Sequence, residues 1–246
     1  MTFPPPPQRT RQRRAPLAVV FHLLLAVWAA VASAEERGAE GYTVDHIVEQ
    51  LNYRVAQVQD LSATISFVRI GARDGSRTEG TVRIEAVFPH VIRATFLGPP
   101  LWEGVVFILD AERNTLTQYT PTTGQADVYA LDEMLRDLGG TREIIPVRPE
   151  DLFTLPSPDE FNLAVVEVKA ENGREYAVVD AAAKAGAERY RLWVDTVDWI
   201  VTRIESMGSD GKVKDAADAI EVKINQGISA PPLRTLPPGA TVRRVS

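Results

Sequence analysis

The sequence predicts an α+β fold built on one large, curved antiparallel sheet with few helices. Three observations point there. Apolar residues settle into period two over three consecutive segments between Leu61 and Phe96, turn signals then recur every ten or so residues, and no strand-helix-strand alternation is present.

The chain opens on Arg9, Arg11, Arg13 and Arg14, an apolar run from Leu17 to Ala32, and Ala32-Ser33-Ala34. This order reads as a secretory signal peptide over residues 1–34, cut before Glu35, with a single domain over residues 35–246. An uncleaved anchor is the alternative, disfavoured because the run is shorter than the ~20 residues of a membrane-spanning helix. From Thr43 to Gln59, Val44, Ile47, Val48, Leu51, Val55 and Val58 recur at helical spacing, with Thr43 placed as the cap. The apolar stripe of this helix needs a surface, and the following ribbon offers the nearest one.

That ribbon comprises Ala63 to Arg69, Val82 to Phe88 and Ile92 to Phe96. Alternate side chains point to opposite faces, so one face is apolar and the other polar. Asp74-Gly75 marks the first hairpin, and Phe88-Pro89 interrupts the ladder because proline supplies no backbone donor. Val105 to Leu109 is continuously apolar, as in a strand buried on both sides. Thr115 to Tyr119 reads as another strand, Pro121 with Gly124 as a turn, and Leu131, Met134, Leu135 and Leu138 as a helix ended by Gly139-Gly140.

Pro146, Pro149, Pro156 and Pro158 make Thr141 to Phe161 a loop, with room for one helical turn at Pro149 to Phe153. Strands resume at Leu163 to Ala170, Glu175 to Asp180, Glu188 to Val194, Ile200 to Ser206 and Ala219 to Ile224. Past Pro231-Pro232 and Pro237-Pro238-Gly239 the chain reads as an irregular strap ending in an extended Thr241 to Val245. Such a sheet must close on itself, pair with a second sheet, or curl around something.

Composition narrows the function. Hydrophobic residues make up 45% of the chain, enough for a core. Past residue 34 there are 23 basic against 33 acidic side chains, a net of −10 that argues against nucleic acid as a partner. Cysteine is absent, which removes disulfides, thiol catalysis and a lipid-modified cysteine. His46 and His90 lack the spacing of a metal pair, and no nucleophile elbow or phosphate loop occurs; the glycines of Gly71 to Gly80 are followed by no helix. Asp195 and Asp198 sit in a hairpin between Trp193 and Trp199, where aspartate serves the turn.

Several stretches resemble the LolA-like outer-membrane lipoprotein carrier family. They are the signal peptide, capped helix and alternating ribbon with its proline bend, Asp110 to Pro121, Tyr190-Arg191-Leu192-Trp193-Val194-Asp195 leading into Ile200 to Glu205, and Glu221 to Ile228 followed by Leu236-Pro237-Pro238-Gly239-Ala240. The resemblance covers nearly all of Gly41 to Val245. It implies an unclosed, strongly curved antiparallel β-barrel with helices as a lid over a hydrophobic cavity that receives lipoprotein acyl chains in the periplasm. The family's proline bend matches Pro89, while the arginine that precedes it in the proteobacterial carriers corresponds to Phe88, whose ring cannot make the lid hydrogen bonds.

The expected function is a periplasmic carrier of lipoproteins or related lipids towards the outer membrane: a monomer, not an enzyme, with no cofactor and no metal, receiving cargo from an inner-membrane donor complex. Ile65, Phe67, Val82, Ile84, Phe88, Ile92, Phe96, Met134 and Leu135 are the expected cavity residues, the first seven from ribbon parity and the last two from the lid analogy. Two other readings stand beside it: a sensor on the same fold that detects lipid or lipoprotein and regulates a membrane partner, and an enzyme acting on lipid or glycan. At the bend, Phe88→Arg is expected to alter ligand release more than stability.

Overall fold

The computed structural model describes residues 41–71, 75–137, 154–208 and 210–245. Twelve strands form one sheet in the order β12-β6-β5-β4-β3-β2-β1-β11-β10-β9-β8-β7. The three ribbon segments are β1 (Asp60–Ile70), β2 (Arg77–Val87) and β3 (Val91–Gly98), followed by β4 (Val106–Asp110), β5 (Thr115–Thr120) and β6 (Gln125–Ala130). The second half contains β7 (Phe161–Glu171), β8 (Arg174–Ala183), β9 (Arg189–Asp195), β10 (Ile200–Met207) and β11 (Val213–Ile224), and β12 (Thr241–Val245) closes the chain. Because β11 pairs with β1, the two halves join into one curved surface whose end strands, β7 and β12, are not paired with each other.

Cross-strand register confirms the parity read from the ribbon. Ala63 lies opposite Ile84, Ile65 opposite Val82, and Ile84 in turn opposite Ala94, all on the inner face. The continuous run at β4 is buried on both sides for a specific reason. Phe107 faces the inner cluster, whereas Val106 and Ile108 face Leu233 of the C-terminal strap.

Helix α1 (Val44–Val55) is capped as expected, with the Thr43 hydroxyl accepting from the His46 amide at 3.2 Å. Its stripe does not lie mainly on the following ribbon. Val44, Ile47 and Leu51 pack with Leu163, Val165, Ala177, Val179, Leu192 and Val194 of β7, β8 and β9, and only Val55, with Val58 beyond the helix, joins the cluster of the first ribbon. Proximity in sequence misled here, because the inner face of the later strands carries an equally apolar surface that the curved sheet brings round to the helix.

Two other expectations need correction. Residues 125–130, left without a strand between a turn and a helix, form β6, which pairs with β5 from Thr120↔Gln125 to Thr115↔Ala130. The extended Thr241 to Val245 forms β12 as read, but it pairs with β6 in parallel, so the sheet expected to be antiparallel is mixed. Asp127 and Arg243, opposite one another in this ladder, join by two hydrogen bonds of 2.9 Å. The helical turn expected at Pro149 to Phe153, the Gly139-Gly140 stop and the signal peptide lie outside the described residues.

Between β11 and β12 the chain crosses the outer face of β2 to β5 through a short helical turn, Ala230–Leu233. Arg234 clamps it by donating from Nε to Asp110 at 2.8 Å and from Nη2 to Glu112 at 2.5 Å. Arg93 donates to the carbonyls of Leu233 and Thr235, and the buried Asp60 carboxylate accepts from the amides of Gln226 and Gly227. No described helix is long and apolar enough to cross a membrane.

Candidate functional site

Among the described residues, the inner face carries the two most extensive hydrophobic clusters. Phe67, Val82, Ile84, Phe88, Ile92 and Phe96 are all buried in one cluster, and Ile65 is partly buried against it. The structure thus brings together the seven residues chosen by ribbon parity. Met134 is held apart from them, packed on Leu116 and Leu131 under α2 (Leu131–Asp137), although Leu109 touches both groups. The side chain of Leu135 is outside the description.

Sequence reasoning missed several members. Leu61, Ala63 and Ala86 share the ribbon parity, so their alternation could have found them. Phe107 sits in the continuous run that hides its own inner face, and Trp102 comes from the β3–β4 loop. These two complete an aromatic group. The Trp102 ring stacks on Phe67 at 6.1 Å between centroids and meets Phe96 edge-on at 5.6 Å, while Phe96 meets Phe107 at 6.2 Å. Such edge and offset geometries are the favoured ones for rings. The second apolar group, beneath Val44, Ile47 and Leu51, was not anticipated as part of the site.

Glycine fits the aromatic group at one place. A Cβ at Gly80 would lie 2.4 Å from Cζ of Phe67, its cross-strand neighbour, so the ring occupies the space a side chain would need. These glycines therefore serve a hairpin and a ring, Gly75 adopting φ +65° between β1 and β2 and Gly80 leaving room for Phe67.

Phe88 and Pro89 are joined by a cis peptide at the β2–β3 turn, and the Phe88 amide donates to the Gln59 carbonyl at 2.9 Å. The ring points into the apolar cluster at 9% exposure.

Polar chemistry lies on the other side of the sheet. A cavity of about 510 Å³ is lined by Lys169, Arg174, Trp193, Asp198, Thr202 and Ile220 among others. Asp195, fully buried, accepts from the amides of Val197 and Asp198 at 2.8 and 3.0 Å and from Arg174 at 2.5 Å. Burial works against its charge, but the Arg174 guanidinium and the two amides outweigh it and hold the carboxyl below the usual carboxylate range. Asp195 and Asp198 therefore serve the turn. By contrast, burial pushes Asp218 up, with the Glu205 charge adding to it against Arg203.

The histidines are separate. His90 Nδ1 lies 2.7 Å from Glu112, and His46 stacks on Tyr42 and meets Trp199 edge-on. Among the described residues no group of His, Cys, Asp and Glu is arranged to hold a metal ion.

No protein-family model matches the chain, and no curated protein matches it. Solved structures do. The chain is similar to an uncharacterized conserved protein from Thermus thermophilus, with a TM-score of 0.57 and 16% identity over 83% of this chain and 100% of that one. It also matches a LolA superfamily protein from Nitrosomonas europaea, at TM-score 0.34 and 10% identity over 76% of this chain and 95% of that one. The lipoprotein LppX of Mycobacterium tuberculosis matches at TM-score 0.46 and 9% identity, over 74% of this chain and 95% of that one. At 16% identity the likeness to the Thermus protein is one of fold. The unclosed curved sheet implied by the sequence resemblance is the architecture the chain adopts.

Proposed function

We propose that this protein is an exported, monomeric carrier of the cell envelope that shelters the acyl chains of lipoproteins or related lipids on the inner face of its sheet, without catalysis and without a cofactor. One observation carries the reading. Helix α1 lies on an apolar inner surface, contributing Val44, Ile47 and Leu51 to one cluster and Val55 to the other. It is held there by apolar contacts and, from the residue before its cap, by the Tyr42 hydroxyl donating to Glu175 at 2.7 Å.

Apolar contacts are non-directional, so an acyl chain and the helix stripe are chemically equivalent occupants of that surface. Each CH₂ removed from water contributes about 0.8 kcal/mol, enough for a lipid chain to replace the helix stripe. Because β7 and β12 do not pair, the sheet can admit a guest without breaking its ladder. Release stays feasible because the inner cluster is made of apolar side chains.

Native mass spectrometry of gently extracted protein, together with displacement of a fluorescent fatty acid, tests the proposal. Co-purifying acylated species and saturable displacement are expected. A protein that carries no lipid and does not bind the probe refutes it.

A further inference from the structure

The ladder between β10 and β11 stops short of its strands. Pairing runs from Met207↔Val213 to Arg203↔Asp218 and goes no further, although β10 begins at Ile200 and β11 continues to Ile224. A bulge lies on each strand at this point. On β10 the register slips between Val201 and Arg203, leaving Thr202 unopposed by β9. On β11 the slip opposite Thr64 and Ile65 leaves Ile220 unopposed by β1. A bulge bends its strand and ends regular pairing, so the two strands part.

The 510 Å³ cavity occupies this seam. Among its lining residues, Ile200 and Val222 also belong to or pack against the inner apolar cluster, so the seam joins the outer surface to the inner face. Ile220, 65% exposed, lines the same cavity. From Ala219 to Ile224, β11 is laddered to β1 on one side, and among the described residues its other edge has no strand partner over roughly 15–20 Å, although the Ile224 carbonyl accepts from Gln226 Nε2 at 3.0 Å.

We infer that this seam is a docking groove for an extended polypeptide, the segment that follows the acylated end of a lipid-modified protein. The inference rests on the carrier reading, in which the acyl chain lies on the inner face and the attached polypeptide must leave it. Unpaired main-chain groups on a strand edge recognise another extended backbone whatever its sequence, and exposed side chains such as Ile220 add apolar contact. An anionic headgroup is a poorer fit, because the cations around the groove are already engaged. Arg174 bridges Asp195 and Asp198 at 2.5 Å each. Arg203 pairs with Glu205 and Asp218 while its guanidinium caps the Trp193 ring at 4.8 Å.

The test compares three probes on the full mature protein: palmitate, an N-palmitoylated hexapeptide, and the same lipopeptide with N-methylated backbone amides. Affinity is read by calorimetry and amide protection by hydrogen exchange. The lipopeptide is expected to bind at least tenfold more tightly than palmitate and to slow exchange over residues 219–224, and N-methylation or Ile220→Arg is expected to remove both effects. Equal affinity for palmitate and lipopeptide, or unchanged exchange over 219–224, overturns the groove while leaving the carrier reading standing. Protection that survives N-methylation overturns it as well, in favour of headgroup recognition. Failure of all three probes to bind overturns both readings.

Discussion

Gly80 offers the sharpest test of how the inner face is packed. A Cβ there would sit 2.4 and 2.8 Å from two ring carbons of Phe67 and 2.9 Å from the Gly98 carbonyl oxygen. Non-bonded carbons prefer about 3.5–4.0 Å, so the ring would have to shift by an ångström or more. It has little room, being 5% exposed and enclosed by Phe96 and Trp102. The carbonyl belongs to the end of β3 and cannot yield without moving the ladder. Overpacking of this kind costs about 1–3 kcal/mol. Alanine in a strand interior otherwise gains roughly 0.5–1 kcal/mol over glycine.

Gly80→Ala is therefore expected to destabilise the protein by about 1–2 kcal/mol, read as a lower midpoint in urea at unchanged slope. Phe67→Leu removes the offending ring carbons but leaves the contact with the Gly98 carbonyl, so in that background Gly80→Ala should cost markedly less. The double-mutant cycle should show a coupling of at least about 1 kcal/mol. A wild-type background that tolerates Gly80→Ala, or strict additivity with Phe67→Leu, refutes the reasoning.

Phe88→Arg is now expected to cost stability first, by about 3–5 kcal/mol, because the ring is buried in the main cluster; a thermal melt within a degree of the parent would contradict that placement. Leu51→Ala, on the helix stripe at 1% exposure, should lower stability by about 2–4 kcal/mol and raise binding of a fluorescent fatty acid by loosening α1; lost binding at retained fold would count against competition for the surface. Asp195 is held below the normal carboxylate range, so its contribution is present above the unfolded value near ~3.9 and is lost as pH falls through the folded one; Asp195→Asn should flatten the acid limb of a pH–stability profile, and an unchanged limb would assign acid sensitivity elsewhere. Arg234→Ala should free the strap and speed exchange of the β12 amides, while Asp110 keeps Arg113, 3.4 Å away; unchanged exchange would mean the β6–β12 ladder alone holds the segment.

Period-two alternation determined the ribbon and its face, because side-chain direction in a strand is fixed by the backbone and needs no distant contact. Thr43 as a cap and Asp195 in its turn were legible for the same reason, each being satisfied within three residues. Periodicity could not read β6, a six-residue strand whose neighbours are β5 and the chain's last segment, or the parallel pairing of β12 across more than a hundred residues. It could not choose between two apolar surfaces for the stripe of α1, since burial free energy depends on area and is indifferent to which strands provide it. The ring over Gly80, the Trp102 stack and the parting of β10 from β11 belong to tertiary structure alone, because each depends on the particular offset at which strands pair and on how their side chains then meet.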